Sequence, residues 1–346
     1  ITMNIIVTAN LTPFIQGGAD YHIKGLIDAL RDHGHRVESV RLPFNAQSYS
    51  AIEDLMEYCR RLNFSQSNNI SIDKVISLQF PGYGIQHHDH VVWIMHQHRA
   101  VYELYPSEPP PSLVLTHLRD AILQYDQAAL SRANKLFANS KRVAERLKQH
   151  NQLKAEPLYH PPGMAEKFYC APPMPYIFCP SRLEKLKRQN LLIEAAKYMR
   201  TPLVVLIAGE GPQRDEYART IEKYQLKHKV RLLGRVSEAE KLSLYANSTA
   251  VFFAPYDEDY GYITLEAMLA EKPVLTTVDA GGPLEFVEHG KTGWVCQPEP
   301  KEIAGFLDSA YAHQARSLEM GKAGRARLEE QNIRWETVVQ KLLGTH

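Results

Sequence analysis

Glu258 and Glu266 are separated by seven residues within YDEDYGYITLEAMLA, residues 256–270, and Gly261 lies between them. A carboxylate accepts hydrogen bonds from sugar hydroxyls, and this spacing places the first in a loop and the second one turn inside a helix. One carboxylate can meet a sugar and the other a ribose. Gly261 permits a tight turn into the helix, so that Tyr262, Ile263 and Thr264 aim their amides outward. A helix N-terminus there offers N–H groups and a positive dipole end to an anion, most simply a phosphate. A solvated acidic turn followed by an ordinary helix glutamate is the competing reading.

Two further groups suit the same chemistry. Arg182, within Ser181-Arg182-Leu183, and Lys187 follow an apolar strand, where arginine grips phosphate in a bidentate manner and lysine acts as a point charge. A charged surface turn would look similar. Gly17-Gly18 opens a helix after a strand and loop, so its backbone can approach a phosphate or another polar acceptor, although the pattern is not G-x-G-x-x-G and also fits a plain connecting loop. Histidines cluster as QHHDH before a strand and HQHR after it, from His87 to His98. The strand separates the two groups, which argues against a shared metal site. His96 is the more interesting, because it ends the strand at the edge where ligands sit; a solvated or core histidine is the alternative.

The elements that must position these residues alternate. Residues 4–9 read as a strand, followed by a glycine loop and a helix up to Gly34; 35–42 is a strand and 51–62 a helix. Strands at 74–78, 91–95 and 135–138 and helices at 113–133 and 140–149 continue a doubly wound pattern. Prolines at 157, 161, 162, 172, 173 and 175 interrupt both periods and read as a linker from 156 to 175. Five strands then follow, at 176–179, 203–208, 230–233, 250–254 and 274–277, with Ser237 and Glu240 forming a capping box. The expected domains are 1–160, 161–330 and a C-terminal helix, 331–346, that packs back on the first.

At 346 residues the chain suits two cores, and its net charge of +1 supplies no field directed at nucleic acid. Four scattered cysteines fit buried thiols in a reducing compartment. The sequence runs from Ile1 straight towards a strand and has no apolar run of bilayer length, so a cytoplasmic location without a signal peptide is expected.

These motifs resemble the retaining glycosyltransferases of family 4, the glycosyl transferases group 1, which have the GT-B fold. The resemblance is densest over GRV at 234–236, FFAP, EDYGYITLEAM, KPVLTT, GG with Glu285, and GKTGW; it includes SRL with Lys187 and extends to the Gly17-Gly18 loop. It implies an α/β chain of two Rossmann-like doubly wound domains facing a central cleft. Arg182 and Lys187 would bind the donor diphosphate, Glu258 the donor sugar and Glu266 the ribose. Tyr262, Ile263 and Thr264 would offer amides to the phosphates, while Gly234 and Val236 would line the base. His96, or His98, would face the donor sugar. Ser181, Asp259 and Ala270-Glu271 depart from the usual pattern without removing a charge the diphosphate needs.

The implied reaction moves a sugar from a nucleotide diphosphate to a hydroxyl of a glycan, a lipid-linked glycan or a small molecule, with retention and a role in polysaccharide biosynthesis. No cofactor and no metal are expected, although Asp257 and Asp259 form a D-x-D pattern that holds a divalent ion in another glycosyltransferase architecture. A non-hydrolysing nucleotide-sugar epimerase and a catalytically silent sugar-nucleotide-binding subunit are the alternatives. Arg132, Lys135, Lys141, Arg142, Arg146 and Lys148 could give a peripheral contact with anionic lipid at the inner membrane face, or form a solvated surface.

Overall fold

A computed structural model describes residues 1–14 and 17–344, so part of the 10–18 loop and the end of the 331–346 segment lie outside the described residues. The chain divides into two compact units, 1–160 with 334–346 and 161–333.

The first unit runs β1 (Asn4–Leu11), α1 (Gly18–Asp32), β2 (Arg36–Pro43), α2 (Tyr49–Arg61), a small antiparallel hairpin β3 (Gln66–Ser67) and β4 (Ile70–Ser71), β5 (Lys74–Ser77), β6 (His90–Ile94), α3 (Leu113–Arg132), β7 (Lys135–Ala138), α4 (Lys141–Asn151) and β8 (Glu156–Pro157). Six strands form a parallel sheet in the order β2-β1-β5-β6-β7-β8. Every residue of β5 and β6 is buried, as strands covered by helices on both faces must be. The reading of 156–175 as linker is corrected at its start, because Phe137 pairs with Glu156 and Ala138 with Pro157. A proline is tolerated there because β8 is an edge strand.

The second unit contains β9 (Tyr176–Pro180), α5 (Gln189–Ala195), β10 (Val204–Ala208), α6 (Arg214–Lys223), β11 (Val230–Gly234), α7 (Glu238–Ala246), β12 (Ala250–Phe252), α8 (Tyr262–Leu269), β13 (Val274–Thr277), β14 (Gly293–Cys296), α9 (Pro300–Ala312) and α10 (Gln314–Glu330). Its parallel sheet has the order β11-β10-β9-β12-β13-β14. The sequence reading passed over β14, whose four residues are too few to establish a period. The capping box at Ser237 and Glu240 is present.

The chain returns to the first unit as α11 (Trp335–Leu343), whose Val338, Val339 and Leu342 join the core formed by Ile5, Leu26 and Trp93. Gly25 on α1 makes room for it: a Cβ there would fall 2.2 Å from the Trp335 ring. Three of the four cysteines are buried, whereas Cys170 is exposed, contrary to the expectation of buried thiols throughout.

Candidate functional site

The order of each sheet reverses direction once, between β1 and β5 in the first unit and between β9 and β12 in the second. Loops leaving adjacent strands at such a point diverge to opposite faces and leave a crevice at the carboxyl edge. In the second unit those loops carry Lys187 and Glu258. Lys187 ends a short 3₁₀ turn after β9, and its ammonium pairs with the Glu258 carboxylate across 71 positions of sequence, both side chains being largely buried.

Glu258 is held by its backbone. Its amide donates to the Ala280 carbonyl at 2.7 Å and its carbonyl accepts from Gly282 at 2.8 Å. A Cβ on Gly281, whose φ is +79°, would lie 2.6 Å from the Glu258 oxygen, so only glycine lets the two backbones approach. Gly261, with φ +84°, forms the N-cap of α8 and sits where a Cβ would meet the Phe253 ring at 2.8 Å and the Glu258 side chain at 3.5 Å. Thr264 donates its amide to the Gly261 carbonyl at 3.3 Å. Of the three amides expected to face a phosphate, that of Thr264 is therefore engaged within the helix's own first turn.

Glu266 lies one turn further on, its side chain 10% exposed, with the Lys241 ammonium at 3.2 Å. Burial pushes the neighbouring Tyr245 and Tyr262 phenols up, and the negative charge of Glu266 adds to both shifts. Arg182 stands apart from this group: it is 47% exposed and its Nε is 2.8 Å from Glu184. Gly234 ends β11 with φ +70° and accepts the Gly209 amide at 2.8 Å, while Val236 is half-buried.

Sequence reasoning missed Lys241, Arg188, Gly209 and Gly211. Cβ atoms at Gly209 and Gly211 would fall 2.0 Å from the Ser181 carbonyl and 2.4 Å from the Leu183 carbonyl, which is what packs the loops after β9 and β10 together. The G-E-G-P run directly after a strand was the available signal.

In the first unit Gly17 is the N-cap of α1, in extended backbone, and its amide donates to the Asp20 carboxylate at 3.0 Å. Asp20, also paired with Arg41 at 3.2 Å, thus already places negative charge at the helix start that Gly17 and Gly18 were expected to offer to a phosphate. His96 follows β6, is half-buried, and has its Nδ1 2.7 Å from the Gln97 carbonyl oxygen. His98 packs against Phe44 and Phe80 with ring centroids at 5.9 and 5.6 Å, and burial pushes it down to about 4, so it is a neutral packing group near pH 7. This favours His96 of the two.

Among the described residues, no group of three or more His, Cys, Asp or Glu side chains is placed to hold a metal ion. His87 bonds the Asp89 backbone at 2.9 Å, and His90 lies 2.7 Å from the Ser77 hydroxyl, pushed down to about 4 by burial. Of the basic residues considered for lipid contact, Arg146 is corrected: only 2% exposed, it lies inward with its Nη1 3.4 Å from Glu103.

Residues 171–327 match the family of glycosyl transferases group 1. The matched residues fall within the second unit and span most of it. Among curated relatives, the chain is 30% identical to the human alpha-1,3/1,6-mannosyltransferase ALG2 over 166 residues, covering 43% of this chain and 40% of that protein. It is 28% identical to a sucrose synthase from Melioribacter roseus over 192 residues, which are 48% of this chain and 24% of that one. The chain therefore spans well under half the length of these relatives. Among solved structures, Anabaena Alr3699/HepE, in complex with UDP and glucose, superposes with a TM-score of 0.72 over 99% of both chains at 18% identity. Sucrose-phosphate synthase from Thermosynechococcus elongatus gives 0.78 over 98% of this chain and 97% of that one at 16% identity. Two parallel-sheet α/β domains of the GT-B class are the fold this chain shares with these structures.

Proposed function

We propose that this chain moves a sugar from a nucleotide diphosphate to a hydroxyl of a glycan, a lipid-linked glycan or a small molecule, with retention and without a metal. The observation that carries the reading is the Lys187–Glu258 pair at the strand-order reversal of the unit that matches the group 1 family, beside the first turn of α8.

The pair is a stored pair of binding groups. With no donor, the ammonium and carboxylate neutralise each other; when a donor arrives, Lys187 turns to the diphosphate and Glu258 accepts from sugar hydroxyls. As the bond between the anomeric carbon and the diphosphate oxygen lengthens, negative charge grows on the leaving group. Lys187 and the Tyr262 and Ile263 amides stabilise that charge where it develops. Glu266, oriented by Lys241, receives the ribose hydroxyls. Arg182 is exposed enough to swing from Glu184 to a phosphate. No carboxylate in the site is assigned as a covalent nucleophile, so retention proceeds through a short-lived ion pair in which the departing phosphate accepts the acceptor's proton. His96 keeps the role at the donor sugar that the resemblance gives it.

The HepE complexes with UDP and with UDP-glucose make uridine nucleotides the first donors to try. Incubating the chain with a panel of nucleotide sugars and following nucleotide release with and without acceptors tests the proposal. Release dependent on an acceptor supports transfer. Interconversion of the sugar with no acceptor identifies an epimerase, and binding with neither reaction identifies a silent subunit. No helix among the described residues is long and apolar enough to cross a membrane. A peripheral contact at the inner membrane face would therefore rest on the remaining basic residues of the α3 end and α4, and co-sedimentation with anionic vesicles reports it.

A further inference from the structure

Lys187 and Glu258 act from two loops that leave different strands, so something must hold those loops in register. Arg188 spans them. Its Nε donates to the Ala254 carbonyl at 2.9 Å and its Nη2 to the Pro255 carbonyl at 3.0 Å, both just past β12. Nη2 also donates to the Thr277 hydroxyl at 2.8 Å, while Nη1 and Nη2 grip the two oxygens of Asp279 at 2.9 and 2.7 Å, past β13. One planar guanidinium thus ties the loop after β9 to the carboxyl ends of β12 and β13.

The consequence reaches Glu258 through the backbone. Asp257 donates its amide to the Asp279 carbonyl at 2.9 Å, Glu258 to Ala280 at 2.7 Å, and Gly282 returns a bond to Glu258 at 2.8 Å. Fixing Asp279 and Ala254 therefore fixes the Glu258 loop at both margins. We propose that Arg188 is the positioning residue of the donor site, setting the loop that presents Glu258 opposite its own neighbour Lys187. The backbone supports this assignment. Arg188 has φ +52°, the left-handed region where glycine sits without steric penalty, so an arginine is held there for its side chain. Arg188 is also the foremost cause holding the Asp279 carboxyl below its usual range.

The functional part rests on the donor reading above; the structural part does not. Arg188→Gly keeps the backbone conformation and deletes the fork, whereas Arg188→Lys keeps the charge but cannot make planar bidentate contacts. In the full chain, both variants should exchange the Asp257, Glu258 and Gly282 amides at least about tenfold faster than wild type, since bonds to a charged group are lost. The Val251 amide, bonded to Pro273 within the sheet, should exchange as in wild type and reports that the fold is intact. UDP binding by calorimetry should weaken about tenfold in both. If Arg188→Gly or Arg188→Lys leaves exchange and UDP affinity within twofold of wild type, Arg188 is only a surface tie and the proposal is overturned. Should either variant unfold, Asp279→Asn, which removes one half of the fork at constant shape, carries the same measurements. Failure of wild type to bind UDP or any other nucleoside diphosphate would overturn the donor reading and the functional part with it, whereas the exchange result decides the structural part independently of any ligand.

Discussion

If the Lys187–Glu258 pair stores the two binding groups of the donor site, substituting its two members must move nucleotide affinity in opposite directions. The pair must open before Lys187 can reach a diphosphate. Its side chains are 23% and 16% exposed, so the attraction is partly screened and its net worth is about 1 kcal/mol. Glu258→Gln removes that cost and should tighten UDP about fivefold. It also replaces a charged acceptor with two oxygens by a neutral amide with one, so sugar-transfer turnover should fall about a hundredfold even as UDP binds better. Lys187→Ala removes a charge-assisted bond to the phosphates and should weaken UDP at least about tenfold, with a loss of a hundredfold or more in kcat. Calorimetric titration of UDP into wild type and both variants, followed by turnover with the donor that the panel identifies, measures these quantities. Equal weakening by both substitutions would refute the reasoning, because it would mean that the carboxylate contributes to the nucleotide subsite and stores nothing.

Lys241→Ala leaves the Glu266 carboxylate partly buried without its partner, and chemical denaturation should show a loss of about 1–2 kcal/mol together with weaker nucleoside binding. Gly281→Ala drives a Cβ to 2.6 Å from the Glu258 carbonyl oxygen at a φ of +79°; calorimetric melting should show a destabilisation of about 1–3 kcal/mol, and turnover should fall with it. Asp126 in the first unit is buried against the Tyr83 and Tyr102 hydroxyls at 2.5 and 2.6 Å, and burial pushes its carboxyl up to about 7. The folded chain then holds a proton that the unfolded chain releases near 4, so this contribution to stability is present below about 4 and declines until about pH 7. The histidines His22, His90 and His98, pushed down by burial, give wild type and Asp126→Asn the same rise in stability with pH below about 6.5. Denaturation between pH 4 and 8 therefore reads the Asp126 contribution as the difference in unfolding free energy between the two chains, which should fall from pH 4 to 7. Chelator treatment should leave turnover within twofold, and loss of activity restored by added magnesium or manganese would place a metal in the reaction.

Much of this site was legible from residue order alone. The alternation of apolar runs with 3.6-period segments marked five of the six strands in each large sheet, because burial on both faces of the inner strands, and on one face of β2 and β11, writes itself into local composition. The spacing of Glu258, Gly261 and Glu266 likewise named a loop, a turn into a helix and a position one turn inside it. What escaped were short edge elements such as β8 and β14, whose few residues carry little periodicity, and every partnership between distant charges. Nothing local says that Lys187 will meet Glu258, that Lys241 will meet Glu266, or that Arg188 will reach Asp279, which is 91 positions away.

The sequence by itself determined the class of fold and the inventory of groups able to handle a nucleotide sugar, since both depend on residue type and short-range period. Only the tertiary structure decided which of those groups act together. Strand order brings the loops after β9, β12 and β13 to one edge, and that order is made by pairings between strands far apart in sequence, such as β9 with β12. The same packing turned His98 into a neutral, half-buried ring, buried Arg146, and gave Arg188, the last residue of a run that looked like surface charge, the central place among these loops.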